Sequence, residues 1–442
     1  MAVWSQVSVG FVIEADRFDG EYYKPDALVA IRRIAEKGGQ ELASMADILT
    51  GRTPSDYDDD GCLSVVRSGD LVAPLIYPTC ERPFLKAQPS HDRFRLRRGD
   101  ILISSIGMGS IGKISLVVDA TDLITVSEVT ILRDATIPPE LLFTYLASST
   151  GQSQIEREIT GATGQQHLLK SKVGRILIPA ALNDIGSALR NMVQETYERQ
   201  EAGRVAYTAA ESLLESALGL DKVDLTPRLF YEVEHSGVTK AKRFDAEYFT
   251  PREQNLIASL SRDHRTLADV ARLATRRFRP KEDTEFHYIE IGDVTGCGTA
   301  DSRPVPGVSA PSRAQWIVCS GDVITTTVRP IRRLSAIIKP EQTGFVCSSG
   351  FAVLEPTGIE PEVLLTYLRL PLVCELLDLH TTASMYPAIS TTDLMRIPIS
   401  LPDESTRDRI VANIRESFIA RREARCRLHE AKRIVEEAIL GG

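Results

Sequence analysis

The sequence lacks the features of a secreted, membrane-embedded or metal-stabilised protein. Its seven cysteines are scattered over 442 residues and never form a Cys-x-x-Cys pair, so we expect neither a disulfide framework nor a zinc knuckle. No stretch approaches the ~18 consecutive apolar residues of a membrane span. The N-terminus contains no cationic leader followed by a long apolar run, so no signal peptide is expected. These absences predict a cytoplasmic protein that does not enter a membrane.

Common catalytic motifs are missing as well. The seven histidines form no His-Glu-x-x-His or His-x-His pair, and there is no Gly-x-Ser-x-Gly nucleophile elbow. The sequence also lacks the Asn/Asp-Pro-Pro-aromatic motif with which amino-methyltransferases hold a base, and it has no convincing nuclease cluster. The chain therefore matches none of the common catalytic templates, and a metal site is not expected.

The bulk composition is that of a soluble globular protein. The chain is 43% apolar and 25% charged, with a net charge of −8. Its length suggests two to four domains. The acidic balance argues mildly against a general nucleic-acid coat, although net charge does not describe local patches.

The most informative feature is an internal repeat. The segment RFDGEYYKP (17–25) returns as RFDAEYFTP (243–251), 226 positions later. Further matches follow in the same order at offsets of 222 to 226, among them RRGDILISS (97–105) with CSGDVITTT (319–327) and PPELLFTYL (138–146) with EPEVLLTYL (360–368). The chain is thus a nearly colinear duplication. Shared positions suit a common scaffold, and we expect what each copy recognises to lie where the copies differ.

Each copy begins as a mixed α/β segment. Short runs rich in β-branched residues predict strands, namely 101–106, 113–119 and 128–134 in the first copy and 322–328, 334–339 and 351–356 in the second. The Pro-Glu sequences at 138–148 and 360–370 favour the start of a helix.

Each copy ends in a long helix. Residues 183–219 and 403–440 contain no proline, and Gly219 and Gly441 suit the residue after a helix end. Apolar residues recur at alternating three- and four-residue steps, as in a heptad seam. In the first helix the seam is Ile185, Leu189, Met192, Ala206, Ala210, Leu213, Ala217 and Leu220, interrupted by Thr196, Arg199 and Gly203. In the second it is Ile410, Ile414, Ala424, Leu428, Ala431, Val435 and Ala438, interrupted by Ser417 and Arg421.

Two such helices have two possible partners. A pseudo-two-fold arrangement would pair them as an antiparallel rod about 55 Å long, with a lobe at each end. Alternatively, each helix packs on its own lobe. Small residues along both seams favour the paired rod. The predicted fold class is therefore α+β: two pseudo-symmetric mixed α/β lobes joined by two long antiparallel helices that form a coiled-coil spacer.

The segment GMGSIGK (107–113) satisfies the glycine spacing of two nucleotide-binding motifs. A phosphate-binding loop needs Ser or Thr after the lysine and then a helix. Here Ile114 follows and begins a predicted strand, and the second copy has RPIRRL (329–334) at this place. We interpret the segment as a hairpin turn with a basic tip at Lys113, and keep a nucleotide-binding enzyme as the alternative.

Several residue clusters could contact nucleic acid, since Arg forks onto guanine edges or phosphates and Gln can bridge adenine. The alternative is that they are solvated faces paired with nearby carboxylates, or parts of structural loops. The candidates are Arg93, Arg95, Arg97 and Arg98; Lys113; Gln165, Gln166 and His167; Arg276, Arg277, Arg279 and Lys281; and Arg329, Arg332 and Arg333.

Taken together, the motifs carry a family resemblance. RFDxEY opens each copy, GDILIS (99–104) and GDVIT (321–325) lie mid-copy, and IPISLP (397–402) leads into the last helix. In this order, and duplicated, they resemble the DNA specificity subunit of type I restriction-modification systems.

The resemblance implies a non-catalytic subunit. Each lobe would be a target recognition domain (1–182 and 242–402), followed by a spacer helix (183–220 and 403–442), with a linker at 221–241. The partners would be double-stranded DNA, two methylation subunits and, where cleavage occurs, an ATP-driven restriction subunit. S-adenosylmethionine, ATP and Mg²⁺ would bind in those partners, and none in this chain. An equivalent role in another DNA-modification or phage-defence assembly is the alternative.

On this resemblance the helices would dock the methylation subunits. The expected contact residues are Ile185, Leu189, Met192, Leu213, Ile410, Ile414, Leu428 and Val435.

Overall fold

The chain divides into two compact units in a computed structural model. The structure describes residues 5–15, 17–36, 38–78, 84–88, 95–107, 109–161, 166–241, 243–382 and 387–440. The first unit contains residues up to Glu201 and those from Arg421 onward, and the second contains Ala202–Ala420. Each unit therefore combines one copy of the repeat with parts of both long helices.

The first copy supplies the following elements. Its helices are α1 (Val9–Ala15), α2 (Pro25–Glu36), α3 (Pro139–Leu146), α4 (Ser149–Glu158), α5 (Lys170–Val173) and the long α6 (Gly186–Leu218). Its strands are β1 (Gln40–Glu41), β2 (Asp47–Thr50), β3 (Leu63–Val66), β4 (Leu75–Ile76), β5 (Leu85–Ala87), β6 (Ile101–Ser104), β7 (Ile114–Val117), β8 (Leu123–Thr125), β9 (Val129–Arg133) and β10 (Leu177–Ile178).

The first unit is built on two main sheets. One has five strands in the order β2-β9-β6-β7-β4, the other has the order β5-β3-β8, and β1 pairs with β10. Strands β6 and β7 form an antiparallel hairpin with Ile101 opposite Leu116, whereas β3 and β8 run parallel. The apolar runs of β3, β6 and β7 are buried along their whole length, as expected for strands covered on both faces.

The second copy supplies a matching set. Its helices are α7 (His235–Ala241), α8 (Pro251–Leu260), α9 (Leu267–Val270), α10 (Pro361–Arg369), α11 (Pro371–Leu379), α12 (Thr391–Met395) and the long α13 (Glu404–Leu440). Its strands are β11 (Arg265–Thr266), β12 (Ala271–Leu273), β13 (Glu285–Ile289), β14 (Arg303–Pro306), β15 (Ala314–Ile317), β16 (Val323–Thr326), β17 (Ser335–Ile337), β18 (Val346–Ser348), β19 (Phe351–Pro356) and β20 (Pro398–Ile399).

The second unit repeats the topology of the first. Its sheets have the orders β12-β19-β16-β17 and β14-β13-β18-β15, and β11 pairs with β20. The hairpin β16–β17 is antiparallel like β6–β7, and β13 runs parallel to β18 as β3 does to β8. Only β4 and β15 lack a counterpart among the described strands. The predicted fold class, two similar α+β lobes with two long helices, is confirmed.

The long helices end close to the predicted positions. Helix α6 has 33 residues and α13 has 37, which corresponds to about 50 and 56 Å at 1.5 Å per residue. Gly219 follows α6 in the left-handed conformation with φ of 67°, where glycine carries no side-chain penalty. Gly441, the equivalent prediction, lies outside the described residues.

Within each unit the two long helices share one apolar core. In the first unit, Leu189 of α6 and Val435 of α13 belong to the same buried cluster. In the second unit, Ala210 and Ile414 do so, and the Ser417 hydroxyl donates to the Gly203 carbonyl at 2.6 Å. Both clusters include strand and helix residues of the lobe, so the helices pack on each other and on the lobe at once.

The seam of α6 differs from the predicted one. Met192 and Leu213 are only partly buried, and Ala217 is exposed. The side chains buried instead are Val193, Leu214 and Leu218. Each lies one residue, about 100° of helix rotation, after the predicted position. Since both neighbours are apolar, the sequence does not distinguish them, and packing against the lobe selects the later one.

Candidate nucleic-acid interface

The repeated RFDxEY motif has a structural role in the first unit. The Arg17 guanidinium pairs with Asp19 at 2.6 Å and lies over the Tyr22 ring at 4.8 Å. It also donates to the carbonyl of Ile159 at 3.0 Å, at the C-terminal end of α4. A cation is favoured there because the terminal carbonyls of a helix lack partners. The Arg17 hydrogen bond lowers the pKa of the Asp19 carboxyl.

The second unit contains the same arrangement. Arg243 pairs with Asp245 at 2.6 Å, lies over Tyr248 at 4.5 Å, and donates to the Leu379 carbonyl at the end of α11. The hydrogen bond with Arg243 lowers the pKa of Asp245. Burial, and then the Arg243 charge, lower the pKa of His380, whose Nδ1 lies 3.1 Å from the guanidinium. The repeated motif therefore fastens the N-terminal part of each lobe to a helix end.

The β6–β7 turn and the loop after α4 meet in the first unit. His167 bridges to both Thr160 and Ile106 through the backbone, which places Gln166 and His167 beside the turn that ends at Lys113. Gln165 lies outside the described residues. The structure thus brings together two segments that the sequence singled out separately.

The corresponding segments also meet in the second unit. Ala388 bridges to Thr382 and to Val328, beside the β16–β17 turn that carries Arg329, Arg332 and Arg333. Arg332 is exposed, while Arg333 forms an ion pair with Glu211 of α6.

The remaining basic residues of the first unit lie elsewhere. Arg95 pairs with Asp122 at 2.8 Å, and Arg97 approaches Asp134 at 3.7 Å. With Arg98 they precede β6, whereas Lys113 follows the turn beyond it, so about 13 Å of strand separates the two groups. Arg93 lies outside the described residues.

The basic residues of the 276–281 cluster differ in their contacts. Arg276 forms ion pairs with Asp322 and Glu355, so its guanidinium neutralises a buried carboxylate. Burial raises the pKa of Asp322 even so. Arg277 lies over the Trp316 ring at 4.6 Å. Arg279 and Lys281 are exposed.

These placements identify the cations that remain available to a phosphate or base. Six of the candidate cations form no side-chain hydrogen bond or ion pair with the described part of the chain. They are Arg98, Lys113, Arg277, Arg279, Lys281 and Arg332. Sequence inspection did not separate them from Arg95, Arg276 and Arg333, because the carboxylates that pair with those three lie 27, 46 and 122 positions away.

The residues expected to dock partners are buried inside the chain. Leu189, Ile410, Ile414 and Val435 are fully buried and Leu428 nearly so, whereas Ile185, Met192 and Leu213 are partly buried. In the first unit the outward face of the helix pair carries charges instead. Its shallow groove, of about 530 Å³, is lined by Glu195, Glu198, Arg199, Glu423, Cys426, Arg427 and Glu430.

The glycine-rich segment is a hairpin turn. Gly107, Gly109 and Gly112 all have positive φ, and β7 follows antiparallel to β6. A phosphate-binding loop would lead into a helix, so the geometry does not favour the nucleotide-binding alternative. In the described part of the chain, no group of three or more His, Cys, Asp or Glu side chains is placed to hold a metal ion. None of the described helices is long and apolar enough to cross a membrane.

No family model matches the chain. Among curated proteins, the type I restriction enzyme HindI specificity subunit of Haemophilus influenzae is 23% identical over 155 residues. The chain resembles a type I specificity subunit. This similarity confirms the resemblance predicted from the sequence motifs. The matched segment covers 33% of this chain and 33% of the relative, so the chain spans about a third of the length of the curated relative it matches.

Three solved structures can be aligned with most of the chain at low sequence identity. The S subunit of a type I restriction-modification system from M. genitalium has a TM-score of 0.41 at 12% identity, covering 91% of this chain and 94% of that one. The HsdS subunit from Thermoanaerobacter tengcongensis has a TM-score of 0.27 at 17% identity, with coverages of 91% and 96%. A chain from a study of the assembly and conformational transition of a type I system has a TM-score of 0.29 at 18% identity, with coverages of 91% and 97%.

Proposed function

We propose that this chain is the DNA-reading subunit of a type I restriction-modification complex. The observation that carries the proposal is the duplication: two units of one topology share their scaffold residues and differ at the turns beyond their central strands. Each lobe, 1–182 and 242–402, reads one half of a bipartite target. The helices 183–220 and 403–442 form the spacer, and 221–241 is the linker between the copies.

Two half-sites give the specificity that one short site cannot. Each mismatched base pair costs about 1–3 kcal/mol, roughly additively for separate positions, so two lobes multiply their discrimination against other genomic sites. A rigid connection also fixes the spacing between the halves along the duplex. Lobes with different turns fit a target whose halves differ.

The chemistry resides in partner subunits. Two methylation subunits bind S-adenosylmethionine and methylate adenine, and a restriction subunit, where present, uses ATP and Mg²⁺. The subunit itself contributes no catalytic group and acts in the cytoplasm.

The partners contact surfaces that recur in both copies. Phe18 and Phe244 occupy equivalent positions in RFDxEY and are 83% and 89% exposed. An exposed aromatic side chain that recurs at a rigid site suits a contact made twice with identical subunits. The outward faces of α6 and α13 complete this contact, in place of the buried seam.

Methylome sequencing tests the proposal. Cells carrying the gene with its partner methylation subunits should show methylated adenines in one bipartite motif, and deletion of this gene alone should remove that motif. Retention of the motif after deletion would overturn the proposal. Re-expression of the chain serves as the control for effects of the deletion on neighbouring genes.

A further inference from the structure

The β16–β17 turn is held in an unusual backbone conformation. Arg329 and Arg333 have φ of 52° and 58°, in the left-handed region that residues with a Cβ rarely occupy. Such conformations persist where the surroundings enforce them, and they cluster at functional sites. The turn between them comprises Pro330, Ile331 and Arg332.

A network centred on the buried Arg369 holds the Arg333 end of this turn. Arg333 donates through Nε to the Arg369 carbonyl at 2.6 Å, and it forms an ion pair with Glu211. Arg369, only 3% exposed, donates through Nη1 to the carbonyls of Arg333 and Ser335, at 2.5 and 3.2 Å. Its Nε donates to the Tyr207 hydroxyl at 2.6 Å. Since Tyr207 and Glu211 belong to α6, the turn is fastened to the long helix within the second unit.

The first copy forms the corresponding turn with different residues. At the offset of 222 positions, Arg333 and Arg369 correspond to Ile111 and Ala147. Its positive φ angles fall on glycines, including Gly109 with φ of 81°, where an added Cβ would meet only open space. Glycine would satisfy this geometry at no steric cost. The second copy instead keeps arginines at strained positions and holds them with a network of its own.

The tip of the turn presents a single uncommitted cation. Arg332 is exposed and forms no side-chain hydrogen bond or ion pair with the described residues. The neighbouring Ile331 lines a cleft to which Arg332 does not contribute. That cleft contains three guanidinium groups and six carboxylates, from Arg243, Arg252, Arg396, Asp245, Glu247, Glu253, Glu375, Asp378 and Asp393. Its negative excess disfavours phosphate, so DNA would approach the turn from the Arg332 side.

We propose that the 329–333 turn is a rigid reading element for one half of the target, with Arg332 as its DNA contact and Arg333 and Arg369 as positioning residues. The inference rests on the proposed function. A guanidinium on a fixed turn loses little conformational entropy on binding and donates two hydrogen bonds to a guanine edge. The equivalent turn of the first lobe has Ile111 and Ala147 in place of these two arginines, so it is not held by such a network.

The test uses the complete complex in cells that lack the native gene. Arg332→Ala removes the contact and leaves the network intact. We expect methylation of the native motif to fall about tenfold and the base requirement to relax in one half of the motif only. Arg333→Gln should relax the same half, and Arg333→Lys, which keeps the ion pair with Glu211, should largely restore it. A role limited to stability would instead lower methylation with no change of motif.

Arg396→Ala is the matched control. It removes an exposed arginine of the same lobe that lines the acidic cleft, so motif and extent of methylation should stay unchanged. An unchanged motif in the Arg332→Ala complex, or equal relaxation of both halves, would overturn the inference alone. A wild-type gene that adds no bipartite motif would overturn the proposed function and this inference with it.

Discussion

Replacement of Ile414 by alanine tests whether the seam between the long helices stabilises the second unit. Ile414 is fully buried in the cluster that also contains Ala210 and Leu214. The change deletes three carbon atoms, worth about 2.4 kcal/mol at ~0.8 kcal/mol per buried methylene. The cavity left behind adds to this loss, and large-to-small core changes of this kind cost about 2–5 kcal/mol. We expect the free energy of unfolding of the second unit to fall by about 3 kcal/mol.

The same helix supplies the control. Ile419 is 50% exposed, so Ile419→Ala should change stability by less than about 0.5 kcal/mol. Urea unfolding of the full chain is followed by the fluorescence of Trp316, which lies in the second unit, in a Trp4→Phe background that removes the other tryptophan. Equal unfolding midpoints for the two variants would refute the assignment of the seam.

Three further predictions follow from the polar groups. Burial and the Arg243 charge lower the pKa of His380 below its ordinary value of 6.5. As the pH falls below about 6.5, the unfolded chain therefore binds this proton before the folded chain does, and the free energy of unfolding decreases. The variant His380→Asn should flatten this pH dependence in thermal unfolding between pH 7 and 5. Arg276→Met leaves the buried Asp322 carboxylate without its guanidinium and should cost about 2 kcal/mol in the Trp316 assay. Arg279→Ala should weaken DNA binding by the complex and reduce the slope of log affinity against log salt by about 0.9.

Each of these predictions has an outcome that would contradict it, and the last also has a control variant. An unchanged pH dependence in the His380→Asn protein would mean that other groups dominate acid sensitivity. Arg276→Met without effect on the unfolding midpoint would show that Asp322 is solvated in its absence. For Arg279→Ala, Arg265→Ala offers an exposed arginine of the same lobe outside the candidate surface, and an equal change of slope in both would mean that long-range charge alone acts.

Local chemistry made much of the fold predictable. The hairpins β6–β7 and β16–β17 follow from β-branched runs bounded by Gly-Asp turns, and the proline-free stretches gave the long helices to within three residues. The choice between Met192 and Val193 was not available from sequence, because both suit an apolar stripe and tertiary packing decides between them. Topology within each lobe depends on strand pairings over long separations, which local pattern does not encode.

The candidate surface was less predictable for an electrostatic reason. An arginine cluster in sequence is a reading surface only if distant carboxylates leave it unpaired. Arg276 meets Asp322 across 46 positions, and Arg333 meets Glu211 across 122. The signal that could have found the first of these pairs is the Gly-Asp turn itself, since its aspartate precedes a buried strand in both copies and requires a cation nearby.

That aspartate shows how a duplicated scaffold can keep a physical requirement while changing the residues that meet it. Asp100 and Asp322 occupy equivalent turns, and each accepts a hydrogen bond from the backbone amide three residues earlier, at 2.7 Å. In the first unit the carboxylate is neutralised by Arg133 of β9. In the second unit, the equivalent of Arg133 is Glu355, and Arg276 reaches both carboxylates from the segment after β12.

A position-by-position comparison of the copies would count Arg133 and Glu355 as a difference, and so as candidate residues for target recognition. The geometry shows one constraint met in two ways, because a buried carboxylate needs a partner but not a particular strand to supply it. Differences between the copies therefore indicate recognition only where, as at Arg332, no buried charge accounts for the residue.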